Sequence, residues 1–449
     1  MRTTDMTRGS PARLLLSFAL PMMAGNIFQQ LYTIVDAAFV GRFAGIDSLA
    51  AVGAADWFSW MVFGVVWGYT QGFSILISQR FGAGDLSGLR RSIGQSLMLT
   101  ALITGLLTVV SQAVVSPVLS LLGTPDDIRP KAALYLRILF GAMPVMAAYN
   151  AQAAILRAMG DAKTPLAAMT LASLTNIALD ALFVIVLHWG VAGAAAATVI
   201  AQGASAIYCF SILKKLRDYL PARADWKPCR ELIRDLIRLG TPTAAQNVVI
   251  GVGGLALQRV INGFGSVFIA GFTATNKLYG LMEMAAVSYG GAIAAYAGQN
   301  AGARLFRRIQ RGIRSGALMA AGTALAIGAV LLVTGRWVLS LFVDPQAAMR
   351  EQVLDIAQQY LFVMLAALFV LYLLYVYRSA LQGMGDTVTP MLSGVAELIM
   401  RVGSALILPS FLGYTGVFLA EPAAWLGAEL LLMITYYRKI NRLLTQTEE

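Results

Sequence analysis

Charge is what this sequence has least of. Asp, Glu, Lys and Arg make up only 13% of its 449 residues, where a soluble globular domain carries about 25%. With 58% hydrophobic residues and a mean hydropathy of +0.69, too little polar surface remains to cover a water-soluble fold. Cysteine is scarce as well. Cys209 lies in an apolar run and Cys229 in a basic stretch, which excludes a disulfide framework and a thiolate metal site. The single histidine, His188, falls at a short turn between apolar runs, so no metal-ligand cluster and no nucleophile beside a base can be assembled around it. An intramembrane enzyme is therefore the weaker of the alternatives, and no cofactor is expected.

What the chain has in quantity is apolar runs of about 20 residues, the length that spans a bilayer as a helix. They fall near 13–41, 48–77, 92–116, 132–156, 166–188, 191–213, 232–260, 267–297, 315–335, 353–377, 388–409 and 413–437. The expected fold is all-α and integral to the membrane, with twelve transmembrane helices in two six-helix bundles. The first run continues past any signal-peptide cleavage site and reads as the first helix.

The two halves are copies. Ala158-Met-Gly-Asp-Ala-Lys-Thr-Pro165 returns as Gly383-Met-Gly-Asp-Thr-Val-Thr-Pro390, and Val118-Leu-Ser-Leu-Leu122 returns as Val338-Leu-Ser-Leu-Phe342, each of the latter followed three residues on by a proline, Pro125 and Pro345. Gln79, Gly82, Ala83, Arg91 and Ile93 match Gln299, Gly302, Ala303, Arg311 and Ile313, and Pro21 and Asn26 match Pro242 and Asn247. An even number of helices per half gives both copies one orientation, so the internal repeat is parallel. An N-lobe over residues 1–220, with helices one to six and the start of a linker, and a C-lobe over 221–449 are expected. The linker, roughly Lys214 to Arg230, contains Pro221 and Pro228.

Lys and Arg set the topology. Most of the 34 fall on segments that are cytoplasmic if the N-terminus is, among them Lys214, Lys215, Arg217, Arg304, Arg307, Arg308 and Arg311, while Arg42, Arg129, Lys131 and Arg137 lie on the other side. A multi-pass protein of the cell membrane with both termini cytoplasmic follows. The net charge of +11 is thus explained by topology and lipid contact, without nucleic acid.

Acids inside apolar runs are costly and ask for a reason. Asn26, Gln29, Thr33 and Asp36 are spaced by three, four and three, which places them on one face of helix one. Ser173, Asn176 and Asp180 repeat that design on helix five, and helix six offers Thr198, Gln202 and Ser205. At 1.5 Å per residue, Asp36 lies about 9 Å below Arg42, and Asp180 and Thr198 each lie about 12 Å below their outer turns. The three groups can meet at one level in the outer half of the first bundle. Two carboxylates there cannot both ionise cheaply unless a cation sits between them, which is the chemistry of a proton or sodium site. The bland alternative is that these residues only tie helices together. Asp56, near the surface, reads as structural.

The second half lacks this pocket, because Asn176 corresponds to Arg401, Asp180 to Ala405 and Asp36 to Leu257. Helix eleven instead has Glu397 and Arg401 four apart, which reads as an internal ion pair, structural rather than catalytic. Lys277 and Glu283 in helix eight lie on different faces and need separate partners, while Glu421 and Glu429 in helix twelve are weaker candidates for lining a cavity. Pro21 removes a backbone hydrogen bond inside helix one, so that helix can bend there or carry a fixed kink.

The run Leu20-Pro-Met-Met-Ala-Gly-Asn-Ile-Phe-Gln-Gln-Leu-Tyr-Thr-Ile-Val-Asp-Ala-Ala-Phe-Val-Gly41 closely resembles the first helix of multidrug and toxic compound extrusion (MATE) transporters, and the paired Met-Gly-Asp-x-x-Thr-Pro loop does too. The resemblance covers essentially the whole chain. It implies a monomeric two-lobed antiporter that expels organic cations or other amphipathic compounds in exchange for H+ or Na+, by alternating access between the lobes. It also implies a cation-coupling site of Asp36, Asn176, Asp180 and Thr198, the only place where a metal ion (Na+) is expected, with Pro21 and Tyr32 as bending and hydrogen-bonding companions of Asp36. Some branches of the family place functional acids on helices seven and ten. Here helix seven shows Gln246, Asn247 and Gln258 but no embedded acid, so the chain looks more like the prokaryotic branch that couples through the N-lobe. The nearest alternative is a lipid-linked sugar flippase of similar fold. Its anionic pyrophosphate would favour a cavity rich in Arg and Lys, and only Lys277 and Arg401 are left inside the membrane once the other basic residues are assigned to its two faces.

Overall fold

A backbone surrounded by hydrocarbon must satisfy its own hydrogen bonds, and helices do so within one segment. The computed structural model describes residues 3–343 and 349–448; Pro345, used in the repeat above, lies outside the described residues. Its long helices are α1 (Pro11–Phe39), α2 (Ile46–Gly82), α3 (Leu86–Leu121), α4 (Arg129–Gly141), α5 (Met143–Ala158), α6 (Lys163–Asp180), α7 (Gly190–Leu213), α8 (Arg230–Ile261), α9 (Ser266–Gly302), α10 (Phe306–Ser340), α11 (Arg350–Gly383) and α12 (Val388–Ile407). Two single turns, α13 (Pro409–Leu412) and α14 (Thr415–Phe418), lead into α15 (Ala420–Glu448). Among the described residues, ten helices are long and apolar enough to cross a membrane, and α4 with α5 forms an eleventh passage bent by 49°. The bend falls at Ala142, two residues before Pro144. The twelfth passage is α9, 37 residues long, whose apolar character is diluted by Asn276, Lys277, Glu283 and Asn300.

The side chains turned outward are those that lipid solvates. Leu102, Val109 and Val333 are 70%, 69% and 87% exposed, a distribution that water would penalise.

The chain folds into two compact units, and their limits differ from the expected cut at residue 220. One comprises Met1–Asp5 and Leu20–Ala245, the other Met6–Ala19 and Gln246–Glu449. The leading part of α8 thus belongs to the first unit. Small residues explain it. Gly68 and Gly72 on α2 face Ala244 and Gly240 on α8, and a Cβ on Gly72 would lie 2.5 Å from the Gly240 Cα and 2.8 Å from the Leu239 carbonyl oxygen. Helices approach this closely only where side chains are absent. Leu232, Leu236 and Leu239 then bury against Phe73, Leu76 and Leu99. The linker is held as well, because the Gln95 amide donates to the carbonyl oxygens of Asp225 and Lys227 at 3.2 and 2.9 Å. In the second unit, the Met6 N–H donates to Gln299 Oε1 at 2.8 Å, and its carbonyl accepts from Asn300 and Arg308.

The repeated Met-Gly-Asp-x-x-Thr-Pro segment is a helix stop followed by a helix start. Gly160 and Gly385 both take φ +82°, the left-handed conformation that ends a helix. The Asp161 carboxylate accepts from the N–H groups of Lys163 and Thr164, each at 3.0 Å, and Asp386 accepts from the Thr389 N–H at 3.1 Å. These are free donors of the next helix. Gly160 has a second constraint, since a Cβ there would run into the backbone of Thr4.

Gly72→Val is expected to lower folded yield and the apparent melting temperature in detergent, a cost of about 1–3 kcal/mol or more, while Gly105→Ala, which meets nothing within 4 Å, leaves both unchanged. Asp161→Ala should cost about 1 kcal/mol in the same melting measurement.

Candidate functional site

In the first unit α6 lies between α1 and α7, joined to each by short hydroxyl bonds. Ser173 Oγ donates to the Phe28 carbonyl of α1 at 3.2 Å, and Ser205 Oγ of α7 donates to the Ala168 carbonyl of α6 at 2.8 Å. This clamp sets the register in which the three polar faces meet. Asp36 is 9% exposed, Asn176 1% and Asp180 0%. The Asp36 and Asp180 carboxyls lie close to each other, and Asn176 Nδ2 donates to Thr198 Oγ1 at 3.5 Å. Tyr32 lies against Gln202 of α7 and Gln29 of its own helix, close to both acids. The other members of the α1 face are not buried. Gln29 and Thr33 are exposed, and the Thr33 hydroxyl returns to the Gln29 carbonyl at 3.0 Å. Pro21 lies within α1, two residues past Ala19, where the helix passes from one unit to the other.

The acids arrive with their acceptor capacity unused. Asp36 Oδ1, Asn176 Oδ1 and both carboxylate oxygens of Asp180 are buried without a hydrogen-bond partner. Buried polar groups are normally paired, and Arg42, the basic residue that follows on this strand of the chain, is exposed. Four buried oxygens without donors can accept a cation, since oxygen is the donor that hard cations take. A single proton shared by the two carboxyls would also relieve them.

Three features of this site have little signal in the sequence. A π-helical turn, Val40–Ala44, follows Asp36 by four residues, and another, Ala181–Val186, begins directly after Asp180. The two turns pack on each other. Such turns bond i to i+5, insert an extra residue and recur at functional sites. Tyr135 of α4 also comes close to Asp36, Asp180 and Tyr32. Asp56, placed by its depth among the structural residues, is exposed and near enough to act on Asp36.

In the second unit the charges form a chain rather than one pair. Glu397 is bonded by Arg378 of α11, and Arg401 by Glu421 of α15 at 2.9 Å, while Glu397 and Arg401 themselves are 3.7 Å apart. The i, i+4 spacing is met, but each residue has a closer partner from another helix. Gly253 of α8 leaves the space that Arg401 fills, since a Cβ there would lie 2.8 Å from Nη1. Glu283 accepts from the Tyr375 hydroxyl at 2.8 Å, and Lys277 is exposed. Glu421 and Glu429, read from the sequence as cavity-lining candidates, are a paired residue and a residue 5% exposed. Among the described residues no group of three or more His, Cys, Asp or Glu could hold a metal ion.

A family model described as MatE matches residues 21–182 and again 242–407, each match starting on the proline of its half, Pro21 and Pro242. The chain belongs to the MATE family of multidrug efflux transporters. It is 30% identical to the probable multidrug resistance protein YoeA of Bacillus subtilis (strain 168), over 97% of this chain and 95% of that one. The multidrug export protein MepA of Staphylococcus aureus (strain N315) is 22% identical over the same shares. Among solved structures, an outward-facing multidrug resistance MATE transporter of the MOP superfamily superposes with a TM-score of 0.92 at 25% identity, over 99% of each chain. A MOP superfamily transporter from Pyrococcus furiosus Vc1 gives 0.93 at 24%, also over 99% of each. MATE proteins are multi-pass membrane transporters of small molecules and not enzymes.

Glu397→Gln is expected to lower the amount of folded protein, because it strands the buried Arg378 while Arg401 keeps Glu421, a cost of about 3–5 kcal/mol. Exchanging Glu397 and Arg401 for each other should fail to restore it, since an arginine at 397 would face Arg378. Monodisperse yield after detergent extraction measures both.

Proposed function

We propose that this MATE transporter is a secondary antiporter that exports organic cations or amphipathic drugs in exchange for H+ or Na+, bound at Asp36, Asn176, Asp180 and Thr198. The reading rests on one observation: four buried acceptor oxygens on Asp36, Asn176 and Asp180 that no donor satisfies. A site that must load and unload an ion cannot also hold a permanent internal partner. A fixed arginine, of the kind that binds Glu397, would make the acids structural. With both termini cytoplasmic, the site lies in the outer half of the first lobe. Binding an ion there exchanges one set of contacts for another on α1 and α6, next to two π-turns whose bonding is easily rearranged, and so couples ion occupancy to lobe shape. Pro21, which leaves one backbone bond unmade, lets α1 bend in response, and Tyr32 ties that movement to α7. One charge crossing 100 mV is worth about 2.3 kcal/mol, sufficient for a nearly fifty-fold gradient per ion.

Asp36→Asn and Asp180→Asn should each reduce drug efflux to the level of vector-only cells at matched membrane expression, and the double variant should be little worse than either, because one site is lost once. Wild-type efflux by either single variant refutes the assignment. Transport in proteoliposomes under separately imposed H+ and Na+ gradients identifies the ion: the driving gradient should lose its effect in both variants.

A further inference from the structure

The geometry points to Glu429 as a proton-binding site of the second unit, separate from the Asp36 and Asp180 pair. Glu429 sits on α15, 5% exposed, with neither carboxylate oxygen hydrogen-bonded. The charged groups around it are already matched to one another. Arg378 of α11 is the cation that acts on Glu429, and it is taken up by Glu397 of α12. Arg401 of α12 is held by Glu421. Two arginines and two glutamates thus balance, and Glu429 stands outside that balance. Its other titratable neighbours are phenols. Tyr377 of α11 is close to Glu429 and bonds Tyr437 at 3.2 Å, while Tyr436, on the same face of α15, is 1% exposed with its hydroxyl unpartnered. Tyr296 of α9 lies close to Tyr436 and donates to the Arg308 carbonyl at 2.9 Å. Arg308 of α10 is engaged by the Met6 carbonyl.

An ionised Glu429 would therefore be a buried charge that makes no hydrogen bond, beside an arginine whose Nη2 is committed to Glu397 and whose Nε is itself unpartnered, whereas a protonated one buries a neutral group. A metal cation fits less well, because hard cations take several oxygens at about 2.0–2.6 Å. Tyr436 lies seven residues, about 10 Å of helical rise, along α15, and among the described residues no group of three or more His, Cys, Asp or Glu could hold a metal ion. The ligand that the site accommodates is a proton, and its release requires water or a base to reach α15 in another state of the protein. The second unit thus carries a protonation step of its own, whether or not the Asp36 site couples transport.

The test is infrared spectroscopy of full-length protein in lipid nanodiscs at neutral pH, with Asp36→Asn and Asp180→Asn present to silence the first unit. The C=O stretch of a protonated carboxylic acid is compared with and without Glu429→Gln. Loss of a band equivalent to one carboxylic acid per protein is the expected result, and Glu429→Asp should shift the band while retaining it. If the Gln variant is not monodisperse, the Asp variant alone decides: a shifted band supports the site and an unchanged one overturns it. A spectrum unaltered by Glu429→Gln overturns it. So does a Glu429 band that disappears when NaCl replaces choline chloride at constant pH, since the site would then prefer a metal cation.

Discussion

In a bilayer no water is at hand to balance a buried carboxylate, so each acid on these helices must meet a base, a donor, a proton or a cation, and the two halves of this chain meet that demand in different ways. In the second unit Glu397 and Glu421 are matched by Arg378 and Arg401, contributed by α11 and α12. In the first, Asp36 and Asp180 lie close together, and among the described residues no donor satisfies Asp36 Oδ1 or either oxygen of Asp180. A matched chain has little reason to exchange ions with water, because separating it exposes arginine and glutamate together. On the proposed function, the unmatched pair takes a mobile partner. The duplicated scaffold thus carries a matched chain of four charges in one half, with Glu429 outside it, and an unmatched acid pair in the other.

Helix packing supports both. The hydroxyl bonds from Ser173 to α1 and from Ser205 to α6 fix the level at which the acids meet, and the π-turns after Asp36 and Asp180 let those helices end in contact. At the other end, the glycine contact between α2 and α8 and the amide of Gln95 secure the leading part of α8 and the linker to the first unit. Residues 6–19 are correspondingly part of the second unit. A linker pinned in this way is not a free tether.

Twelve passages, the parallel repeat and the polar faces of helices one, five and six were all legible in the sequence, because each depends on local period and composition: an apolar run of sufficient length, a motif such as Met-Gly-Asp recurring in register, Asp36 three residues from Thr33 and Asp180 four from Asn176. The helices run past the apolar runs at many ends, since the backbone continues to bond beyond the hydrocarbon. Helix four broke at Ala142, which hydropathy does not register.

What the sequence determined by itself is therefore the inventory: which segments must be helices, that they come in two matching sets, and that only the first set carries Asp36 and Asp180. Tertiary structure decided the partnerships. That Arg378 rather than Arg401 binds Glu397 most closely, that Glu429 is sealed inside without a donor, that Tyr135 approaches the acid pair, and that the units divide at Ala19 and Ala245 all depend on residues distant in the chain. Local spacing places a side chain on a face of its own helix; which neighbour that face meets is set by the packing of every other helix, and by glycines whose missing side chains leave no hydropathic trace.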